Sequence, residues 1–428
     1  MIIEIPYGRS TQKLDVADSR LRACLSPAHE QDSHPTLEQQ QALVRQALEN
    51  PVGSARVSEI ARGKKNIVVI TSDHTRPLPS AVTLPLYLEE IRKGSPDADI
   101  TILIATGVHR FPTEAEMRSK FGDSICDHEK LVIHDANRAE DMTLMGTLPS
   151  GGELWLNHLV AEADLVVSEG FVEPHFFAGY SGGRKSILPG VAGRKTVLYN
   201  HNAHFIAQPQ SRQGNLKDNP IHQDMLFAAE QAKLAFILNV LLDGDKRIIA
   251  AFAGDSQEAH EAACELCRKQ TSVPAVEADI VVTSNGGYPL DQNIYQCVKG
   301  LTAAEACVHQ GGVIILCAGL GDGHGGAGFY HWFADRRNAD EVMRDIVNVP
   351  AGETHMDQWQ AQILARVQQK ARCIFVTTED NRAMLEDMHM GWAATVNDAM
   401  AIASAMLGQE ASVTVIPDGV GVIVTDQE

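Results

Sequence analysis

Two of the 17 histidines in this 428-residue chain are set apart by position. His109 ends the phrase Thr106-Gly-Val-His109 just beyond an apolar β-branched run, and His175 follows Glu173-Pro174 just beyond another. In α/β sheets the residues beyond a strand's carboxyl end face the ligand, and an imidazole held there can accept or release a proton near neutral pH. One such histidine is more often structural. Two at separate strand ends point to paired acid–base chemistry on one substrate.

A second group surrounds them. The segment Phe176-Phe-Ala-Gly-Tyr-Ser-Gly-Gly-Arg-Lys185-Ser-Ile-Leu-Pro-Gly190 combines closely spaced glycines with Arg184 and Lys185. Such a loop can bring backbone amides and cations against an anion, or can simply be mobile. It matches neither GxxxxGK[ST] nor GxGxxG. His201, in Tyr199-Asn-His-Asn-Ala-His204, is a candidate ligand for Ni, Cu or Zn or a helix-end cap. It has no companion at HExxH spacing, so a metal there would bring other donors with it. Arg76, after Asp73 and Thr75, suits bidentate capture of a carboxylate or phosphate, or else a surface ion pair. Gln296 and Lys299, three apart beside Tyr295, would share a helix face. The loop Gly321-Asp-Gly-His-Gly-Gly326 could be a turn, a lid or part of a cleft. Cys264 and Cys267 form a CxxC inside a helix-like run, with no second pair to complete a zinc site.

The elements that must position these residues form a regular series. Apolar runs at 66–71, 100–105, 131–134, 164–168 and 236–240 alternate with helix-compatible segments. A second series at 279–283, 312–317 and 373–378 is spaced by helical stretches such as 338–347 and 359–370. The fold expected is α/β, with two α/β domains and a ligand cleft between them. Their boundary falls near Ser272-Val-Pro274, giving an N-terminal domain over 1–273 that carries the acid–base residues and a C-terminal domain over 274–428. The last run, 413–424, either closes the second sheet or returns to the first.

The charge balance of 36 Lys+Arg against 55 Asp+Glu, net -19, argues against nucleic-acid or anionic-membrane partners. No run of about 18 apolar residues occurs and the N-terminus lacks a basic leader, so a cytoplasmic protein is expected. Eight scattered cysteines suit reduced core thiols.

These phrases together resemble the nickel-pincer lactate racemase family. The resemblance rests on Ser72-Asp-His-Thr-Arg-Pro77, Ala105-Thr-Gly-Val-His-Arg110, His175-Phe-Phe-Ala-Gly-Tyr-Ser-Gly-Gly-Arg-Lys-Ser186, Asn285-Gly-Gly-Tyr-Pro-Leu-Asp-Gln-Asn-Ile-Tyr-Gln296, Asp357-Gln-Trp359 and Val415-Ile-Pro-Asp-Gly419, in family order. It implies an isomerase that interconverts D- and L-lactate through reversible hydride transfer to a covalently attached nickel-pincer nucleotide, a nickel pyridinium-3,5-bisthiocarboxylic acid mononucleotide. By the resemblance, Lys185 carries the cofactor, His201 ligates nickel, and His109 and His175 are the acid–base pair. Asp73, Thr75 and Arg76 fall in the cofactor-binding stretch, while Arg76, Gln296, Lys299, Tyr295 and Trp359 hold or enclose the substrate. The partners implied are a small 2-hydroxy acid and the enzymes that build the cofactor. Racemisation or epimerisation of another 2-hydroxy acid, and a non-catalytic cofactor-binding protein, are the alternatives.

Overall fold

The structure, a computed structural model, describes residues 1–27 and 34–425. Its contacts divide the chain into two units. The first comprises Gln31–His201 and Gln208–Arg268, and the second comprises Met1–Glu30, Asn202–Ala207 and Lys269–Glu428.

The first unit is built on a six-stranded sheet in the order Ile248–Gly254, Leu234–Leu242, Leu165–Phe171, Asn66–Ser72, Asp99–Ala105, Lys130–Ile133. All neighbours are parallel except Ile248–Gly254, which runs antiparallel to Leu234–Leu242. Sequences such as Asn-Ile-Val-Val-Ile-Thr-Ser and Leu-Ala-Phe-Ile-Leu-Asn-Val-Leu-Leu form strands because β-branched and large apolar side chains fill both faces of a covered parallel sheet. Ile67, Val69, Ile102, Val167, Phe236 and Leu238 are fully buried there, against helices that include Leu37–Glu49 and Ser80–Gly94. Burial of each such side chain contributes about 1.5–3 kcal/mol.

The order of the strands decides where a ligand can bind. From Asn66–Ser72 the chain steps outward to Asp99–Ala105 and Lys130–Ile133, then returns to place Leu165–Phe171 on the other side of Asn66–Ser72. The connections on the two sides diverge at this reversal, which opens a crevice beyond the carboxyl ends. The loops beginning at Asp73, Thr106 and Val172 all emerge around it.

The second unit has a wholly parallel sheet in the order Gly391–Ala393, Arg372–Val376, Val308–Cys317, Ala278–Ser284, Val413–Ile416, Leu21–Cys24. This changes the expected division in two ways. The N-terminal strands do not belong with the first sheet: Leu21–Cys24 supplies an edge strand of the second, and the hairpin Ile2–Tyr7/Ser10–Asp15 packs Ile3, Ile5 and Leu14 into the same core. The unit boundary lies at Arg268/Lys269, a few residues before the expected one. The final run divides into Val413–Ile416, inside the sheet, and Ile423–Thr425, which pairs with Ser272–Pro274. It therefore remains in the second unit. Among the described residues no helix is long and apolar enough to cross a membrane.

Candidate active site

The central strand ends at Ser72, and the next residue turns inward. Asp73 is 1% exposed and accepts hydrogen bonds from the Thr75 backbone N–H at 3.0 Å, the Thr75 hydroxyl at 2.6 Å and His109 Nδ1 at 2.8 Å. The carboxylate-to-backbone contact two residues on is an Asx turn, which explains why Asp rather than an apolar residue begins this loop. Burial alone would raise the Asp73 carboxyl, but the hydrogen bond and charge of His109, the Thr75 hydroxyl and the Arg76 charge outweigh it and hold the group at about 2. The ionised carboxylate fixes the His109 tautomer, because Nδ1–H must donate to it. Nε2 is left as the acceptor.

The same turn sets Arg76, whose Nη1 donates to the Thr75 hydroxyl oxygen at 3.1 Å. Lys120 pins the backbone beneath, donating to the carbonyls of Arg76 at 3.0 Å and Leu78 at 3.2 Å. On the neighbouring strand, the His109 N–H donates to the Thr106 carbonyl at 2.9 Å, closing a turn through Gly107, whose N–H reaches the Gly190 carbonyl at 3.0 Å. The His109 loop and the glycine-rich loop are thus tied together.

His175 lies on the other side of the central strand. The two-residue pairing of Pro174–His175 with Gly179–Tyr180 folds the chain back, so that the Ala178 N–H donates to His175 Nδ1 at 3.3 Å. The ring stacks on Phe176 and meets the edge of Phe177, with centroids 4.9 Å and 4.5 Å away. His175 Nε2 is 3.3 Å from Lys185 Nζ. Because Nδ1 already accepts, the neutral ring carries its hydrogen on Nε2, the opposite of His109.

Arg184 organises this loop. It is 1% exposed, and its guanidinium donates to the carbonyls of Ala178 at 2.7 Å and Tyr180 at 2.8 Å and to His222 Nδ1 at 2.9 Å. The 178–184 stretch is thereby tied to the helix Pro220–Gln231. Burial lowers the Arg184 guanidinium to about 10, which leaves it charged. Gly183 donates its N–H to Asn239 Oδ1 at 2.8 Å and has φ +52°, and a Cβ there would lie 2.7 Å from the His260 ring. Only glycine fits.

His201 closes the helix Arg194–Asn200 and is buried, with Nδ1 3.0 Å from the Val197 carbonyl and the Phe177 ring edge-on at 5.2 Å. Nδ1–H must donate to that carbonyl, which leaves Nε2 without a hydrogen, the form that binds a metal. Burial, then the charge of Lys185, lowers His201 to about 3, so the imidazole is neutral at pH 7. The described residues contain no group of three His, Cys, Asp or Glu placed to hold a metal ion. Cys264 and Cys267 are buried in the helix Glu258–Thr271 and are not joined in a disulfide.

The other expected residues belong to the second unit. Asn293 caps the helix Ile294–Cys307 through Gln296 N at 2.9 Å, which places Tyr295, Gln296 and Lys299 in the first two turns. The glycine-rich loop that follows Leu320 accepts from the same helix start: Gly323 and His324 carbonyls take the N–H groups of Ile294 and Tyr295 at 3.0 Å and 3.2 Å. That loop is a cap for this helix. The Gln360 side chain donates to the Tyr295 carbonyl, fixing the helix Gln358–Lys370 and its buried Trp359 against the first. Thus Asp73, Thr75, Arg76, His109, His175, Lys185 and His201 belong to the first unit, and Tyr295, Gln296, Lys299 and Trp359 to the second.

Family models for the lactate racemase N-terminal and C-terminal domains match residues 7–214 and 273–424. The lactate racemase of Thermoanaerobacterium thermosaccharolyticum is 51% identical over 425 residues, and that of Lactiplantibacillus plantarum 49% over 422, with 99% of each chain covered. This chain belongs to the lactate racemase family. It is an isomerase. The lactate racemase apoprotein from Thermoanaerobacterium thermosaccharolyticum superposes with a TM-score of 0.96 over all of both chains, at 50% identity. A Thermotoga maritima protein shares the fold at a TM-score of 0.65 and 17% identity, covering 92% of this chain and 98% of its own.

Asp73, expected among cofactor-binding residues, has His109 and Thr75 as its observed partners. Lys120 was not singled out, and nothing local marks it, because its partners Arg76 and Leu78 lie on another segment of the chain; Arg184 was noted as a cation of the glycine-rich loop but not as a positioning residue.

Proposed function

We propose that this member of the lactate racemase family interconverts D- and L-lactate, using a nickel-pincer nucleotide joined to Lys185 and ligated through His201. The observation that carries the reading is the placement of two imidazoles with opposite tautomers on strands flanking the Asp73–Arg76 loop. The donor set suits the cofactor: an amine for covalent attachment beside a buried neutral histidine, with the remaining soft donors coming from the cofactor itself. When bound, the group would supply a pyridinium ring able to take up a hydride and return it.

Arg76 grips the substrate carboxylate and fixes the 2-carbon, an interaction strengthened by its charge and planar fork. His109 accepts the hydroxyl proton of one enantiomer at Nε2 while Asp73 stabilises the imidazolium that forms. His175 is the corresponding acid–base group for the other enantiomer. In the reverse direction the two exchange roles. Gln296, Lys299 and Tyr295 assist in holding the substrate, and Trp359 excludes water from it. Protein that carries nickel and an adduct on Lys185 should convert either pure enantiomer of lactate to an equal mixture by chiral chromatography. No change in either direction would reject lactate, and a panel of longer 2-hydroxy acids would then identify the substrate.

A further inference from the structure

Resting on the reading that Arg76 grips the substrate carboxylate, we propose that Glu169 is a positioning residue for the loop that carries Asp73, Thr75 and Arg76, with Lys120 as its oppositely charged partner. Glu169 sits in the strand Leu165–Phe171 and is 2% exposed, and a carboxyl is buried at such a place only if its oxygens are hydrogen-bonded. They are bonded to different elements. Oε1 accepts from the Thr71 hydroxyl at 2.6 Å, near the end of the strand Asn66–Ser72, and Oε2 accepts from the Thr83 hydroxyl at 2.5 Å, in the first turn of the helix Ser80–Gly94. The Ser80 hydroxyl, at the helix start, lies 3.4 Å from that of Thr71. Residues 73–79 between these points are the loop itself, so one carboxyl holds both of its ends. That helix start has neither a side-chain cap nor an acidic residue in its own first turn, and a negative charge brought from another strand is favoured there.

Lys120 holds the middle of the same loop, reaching the Arg76 and Leu78 carbonyls from the helix Glu114–Phe121. Thr75 and Arg76 are exposed, so little burial of their own keeps them in place. Burial lowers the Lys120 amine to about 8, while the charges of Glu169 and Asp73 raise it and that of Arg76 lowers it further. Burial raises the Glu169 carboxyl, and the Ser80, Thr71 and Thr83 hydroxyls and the Lys120 charge pull it back. Tyr87, in the helix Ser80–Gly94, also feels the carboxyl; burial and then the Glu169 charge push its phenol well up, so it stays neutral. An ammonium holds two carbonyls through charge-assisted hydrogen bonds, which an amine cannot make. The hold on Arg76 is therefore complete below about pH 8 and loosens above it. Asp73 is fixed separately by its bonds to Thr75 and His109, so the loosening is felt in KM and hardly in kcat.

The test has two readouts. In full-length apoprotein labelled with 13C at the lysine ε-carbons, NMR follows the Lys120 signal, assigned by its loss in Lys120→Arg, as the pH is raised. Glu169→Gln keeps the size of the side chain but removes its charge, and should lower the Lys120 midpoint by about half a pH unit or more. In loaded protein, the wild-type KM for lactate should rise about threefold through that midpoint with kcat nearly level. At pH 7, Glu169→Gln should raise KM about threefold, and Thr83→Val, which frees the helix end alone, about twofold. A wild-type KM that stays level through the Lys120 midpoint overturns the proposal even if the variants do not fold. So does a Lys120 midpoint in Glu169→Gln within about 0.2 pH unit of wild type, or a Thr83→Val variant that lowers kcat and leaves KM unchanged. An unchanged KM in Arg76→Ala would instead defeat the reading of Arg76 as the carboxylate clamp, while leaving the dependence of the Lys120 titration on Glu169 in place.

Discussion

The loops bearing His109 and His175 leave the same sheet on either side of one strand, yet they hold their imidazoles by opposite means. At His109 a buried carboxylate accepts from Nδ1 and so keeps a hydrogen on that nitrogen. At His175 a backbone N–H donates to Nδ1, which opposes a proton there. In the proposed mechanism the two imidazoles are therefore not equivalent. Enantiomers have equal free energies, so kcat/KM must remain the same in both directions, and a difference between the loops would show in kcat and KM separately.

The comparison can be broken most severely by removing either ring. His109→Ala and His175→Ala should each lower lactate interconversion by roughly 10³-fold in protein shown by mass and metal analysis to be loaded. Retention of more than a tenth of the activity by either variant would remove that histidine from the chemistry. Asp73→Asn keeps the shape of the side chain but takes away the charge that fixes His109, and should reduce kcat about 10²-fold. It should also bring the kcat values of the two directions closer together. The carboxyl is held at about 2, below its ordinary value, so its stabilisation is complete above about pH 4 and is lost as pH falls through about 2. At pH 7 the same variant should therefore lose about 2 kcal/mol in urea unfolding. Thr75→Val removes the hydroxyl donor to Asp73 and should reduce kcat about tenfold. Lys120→Met frees the Arg76 backbone and should raise KM for lactate about threefold while leaving kcat nearly unchanged.

Much of the first sheet was legible because covered parallel strands are almost continuously apolar: Val-Val-Ile and Ile-Leu-Ile leave little choice of environment. The pieces that escaped are those whose partners are remote or whose faces alternate. Leu21–Cys24 is a short, partly exposed edge strand whose partner is Val413–Ile416, far along the chain, so its sequence carries no sign of the sheet it joins. The hairpin Met142–Thr147/Glu153–Asn157 mixes polar and apolar residues and lies outside the main sheets. At the site, the phrases around His109, His175 and Lys185 were recognisable as units. The bond between Asp73 and His109, by contrast, crosses from one strand end to the next and appears only when Asn66–Ser72 and Asp99–Ala105 lie side by side. Arg184 was visible as a cation in a glycine loop. Its work as a clamp on backbone carbonyls depends on the loop's return path.

The intervening strand also acts as a gauge. Hydrogen-bonded neighbours stand about 4.8 Å apart, so the roots of the His109 and His175 loops are separated by roughly 9.6 Å. Backbone pairing sets that width, and side-chain substitution cannot readily alter it. A larger 2-hydroxy acid would have to extend outward, parallel to the strands, where loop length is free to vary. Divergence in substrate choice within this architecture should therefore appear as changes in the height of the surrounding walls, while the gap between the two histidine loops stays constant.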